Sequence, residues 1–194
     1  MTWRFGPVHS QVRWTCTYLG VIGVAGLFKE FHAVVRLEGQ DASRWSVEAT
    51  IPAASLESGC VLRDDVLRGP DFLDVDRFPF ITFRSKSVEC GEARYRVVGD
   101  LNIHGVTREV ALDLHDLGET ADWLGQRSRV LVAETTLKRS DFQVGPPPRA
   151  GELIGTDLRV SLQIELLWEN VDAQLVGIHR RTGAMAPARA VVAA

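Results

Sequence analysis

Hydrophobic and polar residues alternate with a period of two along most of the chain, the pattern of strands with one dry and one wet face. The clearest example is residues 158–166, in which every even-numbered position is apolar and every odd-numbered position is polar. A helix would scatter these apolar side chains around its circumference. The pattern therefore predicts a strand over this segment.

Seven further segments alternate in the same way. They occupy residues 12–18, 31–37, 45–51, 78–90, 95–103, 110–115 and 131–138. In the segment 78–90, the pattern changes register between Phe83 and Val88. His104 and Gly105 separate two of the segments and predict a tight hairpin. About eight antiparallel strands with short turns indicate an all-β fold, a closed barrel or a sandwich, and closure removes the exposed edges.

Only one stretch has a clear helical pattern. Residues 55–68 predict a short helix with Ser55 as its N-cap, ended by Gly69 and Pro70. A shorter helical turn is predicted at residues 19–24. Alternation stops at Trp168, so we expect a barrel over 1–169 and a loosely ordered tail over 170–194, with a short helix at 171–178.

The composition of the chain limits the classes of partner that it is expected to bind. The 194 residues are 45% hydrophobic and carry a net charge of −3, so no excess of positive charge favours nucleic acid. The first residues show no basic region followed by an apolar core, so we expect a cytoplasmic protein. The apolar run at 18–28 is too short to span a bilayer, which predicts no stable membrane insertion.

Motifs that carry chemistry are weak in this sequence. The three cysteines form no CxxC pair, the five histidines have no metal-ligand spacing, and no GxSxG occurs. Clustered acidic residues near 64–76 are explained by capping and solvated loops. We therefore expect no enzymatic activity, no metal and no cofactor.

The dry faces of the strands carry several aromatic residues: Trp14, Phe31, Trp45, Phe83 and Tyr95. A barrel of about eight strands either fills its interior with such side chains or encloses one ligand. The alternation is compatible with both, since each requires an apolar interior.

Several ordered motifs resemble those of the YceI-like family. The opening Trp3…Pro7-Val8-His9-Ser10 is similar to the family's start, although Gly6 stands where an aspartate is usual. The other matching segments are Tyr18-Leu19-Gly20 with Val24–Phe28, Arg63-Asp64 with Leu67-Arg68, Asp71–Asp74, Phe78–Phe83, Val98–Thr107 and Leu137–Phe142. Together they cover about residues 3–168 in the correct order.

The resemblance implies a lipocalin-like extended antiparallel β-barrel with one short helix. It implies a tunnel that binds a polyisoprenoid or an isoprenoid quinone as ligand, and a homodimer. Many family members are exported, whereas no leader is recognised here. The inward phase that we expect to contact the lipid comprises Trp14, Phe31, Val35, Trp45, Phe83, Leu101, Ile103, Leu112, Leu114, Leu131, Val160, Leu162 and Ile164.

A polar mouth is expected to receive the lipid head group. Its candidates lie near strand ends and are His9, Ser10, Arg63, Arg68, His104 and Arg139. Two other functions remain open from the sequence: an enzyme acting on an isoprenoid-like substrate in the pocket, and a filled-core interaction protein. The enzyme requires a buried polar pair inside the tunnel, and the filled core requires that no cavity exist.

Overall fold

A computed structural model describes residues 2–37, 41–91, 94–147 and 153–169. The strands in this part of the chain are β1 (Thr2–Tyr18), β2 (Ile22–Phe28), β3 (His32–Arg36), β4 (Ser46–Pro52), β5 (Leu56–Glu57), β6 (Phe80–Cys90), β7 (Tyr95–Ile103), β8 (Val106–Ala121), β9 (Arg127–Lys138) and β10 (Asp157–Glu169). One α-helix, α1 (Val61–Arg68), lies between β5 and β6. Short 3-10 turns occupy Ala42–Arg44, Ala53–Ser55 and Arg139–Phe142.

The strands form one antiparallel sheet in the order β3-β4-β6-β7-β8-β9-β10-β1-β2-β5. The two edges of this order are joined through the chain, because β2 leads into β3 and β4 leads into β5. β2 pairs with β5, and β3 pairs with β4. Between these two ladders, Lys29 donates its N–H to the carbonyl of Ser55 at 3.0 Å. The sheet therefore curls on itself as a barrel.

This closure explains how the structure compares with the predicted strand count. The sequence predicts about eight strands, and the described residues form ten. β2 and β3 are two parts of one long strand, and so are β4 and β5, and an irregular segment interrupts each near the closure. Ser55 lies in the segment between β4 and β5, where its hydroxyl donates to the carbonyls of Pro52 at 2.7 Å and Glu30 at 3.2 Å. The predicted all-β, lipocalin-like antiparallel barrel with one short helix is confirmed.

Two local predictions are wrong. The expected helical turn at 19–24 is a hairpin followed by β2, since Leu19 and Gly20 both take positive φ values and Tyr18 pairs with Ile22. The expected helix at 55–68 begins only at Val61. Ser55 is not its N-cap, and Gly59 has a φ of +76°, which interrupts any helix that would run through it.

Other local predictions are confirmed. His104 and Gly105 form the turn between β7 and β8, with φ values of 53° and 74°, as a tight hairpin requires. The register of β6 shifts between Ser85 and Ser87, so that Phe83 and Val88 are both buried. Helix α1 ends at Gly69, as expected. The expected tail, 170–194, and its short helix at 171–178 lie outside the described residues.

The barrel has two different ends. The helix end carries α1, the β1–β2 hairpin, the β7–β8 turn and the 3-10 turn after β9. The hairpin end carries the long β8–β9 hairpin and the β6–β7 turn. The buried cluster nearer the helix end includes Trp14, Leu137 and Phe142, and the one nearer the hairpin end includes Phe5, Trp45 and Leu166. No helix among the described residues is long and apolar enough to cross a membrane.

One close approach fixes how Trp14 sits inside the barrel. Trp14 of β1 pairs with Gly26 of β2, and its indole lies over that glycine. A Cβ atom at position 26 would lie 2.4 Å from Cζ2 of Trp14 and 2.7 Å from the carbonyl oxygen of Glu57. Because Gly26 has no side chain, the Trp14 ring and the backbone of β5 can both pack directly against it.

We expect Gly26→Ala to lower the free energy of unfolding by about 1–3 kcal/mol, because the added methyl group overpacks the interior. Gly23→Ala on the same strand is the matched control, since a Cβ there meets no atom within 4 Å. Its free energy of unfolding should stay within about 0.5 kcal/mol of the wild-type value. Urea unfolding measures both, and equal losses would contradict this packing of Trp14.

Candidate functional site

An elongated cavity of about 210 Å³ occupies the barrel interior. Apolar side chains from the inward phase of both halves of the sheet line it. All thirteen residues predicted to contact lipid lie in its wall. Along β10 the lining runs from Leu158 to Ile164, seven residues whose six steps cover roughly 20 Å at a strand's rise per residue. The interior is therefore long and narrow, although lipid contact itself stays a prediction.

Two of the polar side chains in the cavity wall, Thr135 and Arg139, have backbone partners. The hydroxyl of Thr135 donates to the carbonyl of Ala111 at 2.9 Å. The guanidinium of Arg139 donates to backbone carbonyls, as described below. The indole nitrogens of Trp14 and Trp45 are buried, and neither has a hydrogen-bond partner among the described residues. The wall thus presents hydrocarbon to whatever occupies the cavity.

Residues after the barrel strands complete the wall at the helix end. They come from the α1 segment, from the 3-10 turn after β9 and from the residues before β10: Leu67, Phe72, Leu73, Phe142, Val144, Ile154 and Gly155. Alternation does not identify these residues, because they lie in irregular segments. The motifs around Asp71-Phe72 and Asp141-Phe142 were the available signal.

Buried and half-exposed residues line the cavity at both ends. Trp45 and Leu131 at the hairpin end are buried, as is Phe142 at the helix end. At the helix end the wall also includes irregular segments, whose residues Leu67 and Ile154 are half-exposed. We call this the accessible end of the cavity.

Arg139 is buried in the wall at the helix end and binds the backbone of two segments. Nε donates to the carbonyl of Gly155 at 3.1 Å, and Nη2 donates to that of Ile154 at 3.3 Å. Nη1 donates to the carbonyls of Val144 at 3.1 Å and Pro146 at 2.6 Å. Of the head-group candidates, Arg139 alone is part of the cavity wall that the described residues form.

Arg63 and Arg68 lie in α1 and bind the preceding loop. Arg63 donates from Nε to the hydroxyl of Ser58 and from Nη2 to its carbonyl, both at 2.7 Å. Arg68 donates from Nε to the carbonyl of Ala54 at 3.0 Å and from Nη2 to that of Leu56. The two arginines hold α1 against β5, at the helix end of the barrel.

The remaining head-group candidates lie apart from the cavity. The ring nitrogen Nδ1 of His9 is 3.0 Å from Oε2 of Glu165, on the outer surface. The Ser10 hydroxyl donates to the carbonyl of Gly6 at 2.6 Å and accepts from the N–H of Glu165 at 2.9 Å. His104 packs edge-on against Phe78 in the β7–β8 turn. The six candidates therefore do not converge on one site.

Cys16 lies in the cavity wall near Arg139 and Arg63. Burial raises the pKa of the Cys16 thiol, and the positive charges of the two arginines partly oppose this effect. The thiol is therefore a neutral, half-buried part of the wall near neutral pH. Cys60 and Cys90 are exposed, and all three cysteines are free.

An ion pair lies at the hairpin end of the barrel. Arg129 of β9 donates from Nε to Oδ2 of Asp116 on β8 at 2.9 Å, and Nη2 binds the same oxygen. The Arg129 guanidinium also lies 5.5 Å from the centre of the Trp45 ring. Burial raises the pKa of Asp116, but the hydrogen bonds from Arg129 and the Gly118 N–H, with the positive charge, hold that pKa below its usual value.

Acidic, cysteine and histidine side chains do not form a group of three or more that could hold a metal in the described part of the chain. The described wall can therefore recognise a ligand by its shape and its apolar surface. At the helix end, hydrogen bonds from Arg139 to backbone carbonyls hold the wall in place.

Comparison with known families gives one model that matches nearly the whole barrel. The YceI-like domain matches residues 3–166. A UPF0312 protein of Pseudomonas putida is 32% identical over 154 residues, which cover 78% of this chain and 80% of that protein. Protein YceI of Salmonella arizonae is 31% identical over 150 residues, which cover 75% and 78% of the two chains.

Solved structures share the same fold. The crystal structure of Burkholderia cenocepacia BcnA has a TM-score of 0.75 at 23% identity and covers 83% of this chain and 98% of that chain. A polyisoprenoid-binding domain from Saccharophagus degradans has a TM-score of 0.64 at 13% identity, with coverages of 86% and 98%. At these identities, the two structures support the barrel fold.

The ion pair between Asp116 and Arg129 at the hairpin end predicts that the free energy of unfolding depends on pH. We expect Asp116→Asn to lower the free energy of unfolding at pH 7 by about 1–3 kcal/mol, since Arg129 loses its charged partner. The folded pKa of Asp116 lies below its unfolded value, so its contribution is present above about pH 4 and is lost as pH falls through the folded pKa.

The difference between wild type and Asp116→Asn should therefore shrink below about pH 4. Denaturant unfolding across the pH range measures it, with Asp113→Asn on the exposed face of the same strand as control. A difference that stays constant down to pH 3 would show that the ion pair contributes no pH-dependent stability.

Proposed function

The chain belongs to the YceI-like family, and from that membership we propose that its cavity binds the hydrocarbon chain of a long apolar lipid. The ligand class is a polyisoprenoid or an isoprenoid quinone. The protein stores this lipid or carries it between sites, and it performs no chemistry on it. The observation that carries the proposal is the elongated cavity, whose wall is almost entirely apolar and whose Thr135 and Arg139 side chains are bonded to backbone.

The energetics favour a long hydrocarbon. Each methylene group that leaves water contributes about 0.8 kcal/mol, so affinity grows with the length of chain enclosed. A polar head group inside this mostly hydrocarbon wall would lose its bonds to water, and that desolvation is costly. The head group is therefore placed at the helix end, which is the accessible end of the cavity.

The two alternatives left open by the sequence receive less support. An enzyme needs an acid, base or nucleophile that meets the substrate. The hydroxyl of Thr135 and the guanidinium of Arg139 are held by backbone carbonyls, and burial raises the pKa of the Cys16 thiol, which keeps it in its less nucleophilic neutral form. A filled-core interaction protein requires a packed interior, in contrast to a cavity of about 210 Å³. Apolar-ligand binding is also what the name of the Saccharophagus degradans domain states for that protein.

The wider setting is part of the same proposal. We propose that the protein acts in the cytoplasm, as a homodimer, without a nucleic-acid partner and without stable insertion in a membrane. The net charge of −3 supports the absence of nucleic acid. Cell fractionation and light scattering of the purified protein test the compartment and the dimer.

Two adjacent threonines test ligand binding. Thr135 lines the cavity, and Thr136 is exposed on the outer face of β9. Organic extracts of purified wild type and Thr136→Glu should contain a prenyl lipid by mass spectrometry, whereas Thr135→Glu should contain none. We expect the Thr135→Glu substitution to weaken binding of an added prenol at least about hundredfold, because a carboxylate enters an apolar wall.

Circular dichroism first establishes that both variants are folded. If folded Thr135→Glu binds prenol as tightly as Thr136→Glu, the lipid does not occupy this cavity. If extracts of wild type repeatedly lack prenyl lipid and added prenol does not bind, the carrier function is wrong.

The cysteines supply a second test that needs no substitution. A lipid in the cavity covers Cys16, while Cys60 and Cys90 stay exposed as internal controls. We expect saturating prenol to slow the alkylation of Cys16 by a maleimide at least about tenfold and to leave the other two rates unchanged. Peptide mass mapping over time measures the three rates, and an unprotected Cys16 would place the lipid elsewhere.

A further inference from the structure

Helix α1 has three of its four apolar residues on the outside. Val61, Leu62 and Val66 are exposed, with 75%, 79% and 57% of their surface accessible. The polar residue Asp64 is buried and accepts a hydrogen bond from the N–H of Ser58 at 2.9 Å. Because Arg63 and Arg68 are also bound to the loop beneath, the helix turns these two arginines and Asp64 toward the protein, and it turns Val61, Leu62 and Val66 toward solvent.

The β1–β2 hairpin adds apolar surface at the same end of the barrel. Val21 is 85% exposed, and Leu19 and Ile22 are about half exposed. The N–H of Leu19 donates to the carbonyl of Leu153 at 2.6 Å, and Leu153 is itself exposed. We call this set, together with Val61, Leu62 and Val66 of α1, the apolar rim.

The apolar rim is continuous with the cavity wall. Leu67 follows Val66 in α1, Ile154 follows Leu153, and both line the cavity. Cys16, two residues before the β1–β2 turn, also lines it, and the charge of Arg63 from α1 acts on its thiol. Helix and hairpin therefore flank the same accessible end of the cavity.

We propose that the apolar rim docks the barrel on the surface of a lipid bilayer and that the ligand passes between bilayer and cavity there. This inference rests on the proposed function, because a long apolar lipid resides in membranes and must leave them without crossing water. The rim would lie at the interface as a short amphipathic helix does, with its apolar residues among the acyl chains.

The charges at this end favour a neutral bilayer surface. The arginines of α1 are turned toward backbone carbonyls, and Asp65 is exposed beside Leu62. The two described arginines of α1 therefore offer anionic lipids no outward basic group. Docking should depend on apolar burial and vary little with ionic strength. A second copy on this face would instead cover the accessible end of the cavity.

The test uses phosphatidylcholine vesicles that contain a prenylated benzoquinone. Vesicle flotation measures docking, and the quinone recovered with the protein measures transfer. We expect Leu62→Asp and Val21→Asp each to reduce the vesicle-bound fraction and the initial transfer rate at least about tenfold, because each replaces an inserted apolar side chain with a charge. Affinity for the same quinone added from ethanol should stay within about twofold.

Leu124→Asp is the matched control, since Leu124 is 71% exposed on the β8–β9 hairpin at the opposite end. It should dock and transfer like wild type. The inference is wrong if Leu62→Asp docks like wild type, if Leu124→Asp loses docking equally, or if wild type is a dimer that Leu62→Asp dissociates. Wild type that takes quinone from ethanol and not from vesicles overturns docking alone. Uptake from neither source overturns the proposed function as well.

Discussion

The accessible end of this barrel depends on the bonding of one buried cation. Arg139 lies in an apolar wall, where an unpaired charge is very costly, and it offsets that cost through hydrogen bonds to backbone carbonyls on two separate segments. One segment contains Val144 and Pro146, and the other contains Ile154 and Gly155. The second segment is in turn bonded to the β1–β2 hairpin, since the N–H of Gly155 donates to the carbonyl of Thr17 at 2.7 Å. A single guanidinium thus positions the cavity wall and the hairpin beside it.

Irregular backbone is concentrated where the barrel closes and where its cavity is accessible. From β6 to β10 the strand pairing continues through two register shifts, one in β6 and one between β8 and β9. The chain segments β2–β3 and β4–β5 are instead interrupted near Ser55. The hydroxyl of Ser55 lies within hydrogen-bond distance of the carbonyls of Pro52 and Glu30, so it links the two interrupted segments. The chain then leaves the sheet as α1 before it returns as β6. The interruption between β4 and β5 therefore allows a helix to lie across one end of the barrel.

The sequence could predict the barrel interior because a strand's side chains alternate strictly between its two faces. That rule placed all thirteen inward residues correctly in the cavity wall, from Trp14 to Ile164. It failed for β2, whose glycines and apolar residues occupy both faces, and for the start of α1, which depends on the positive φ of Gly59. It also passed over the polar residues in the inward phase, Asp116 and Arg129, which were a visible interruption of the pattern.

The roles of polar side chains were beyond such reasoning, because their partners come from distant segments. Arg63, Arg68 and Arg139 look alike in the sequence as free cations near strand ends. In the fold each is committed to backbone carbonyls, which leaves hydrocarbon as the surface that both the cavity and α1 present. A wall of this kind distinguishes ligands by the length and shape of their chain and only weakly by their head group. Selection among lipids by head group must then arise outside the cavity. It depends on the surface that the protein contacts and on the route by which the ligand enters. The outward valines and leucine of α1 are the feature of this chain placed to make that choice.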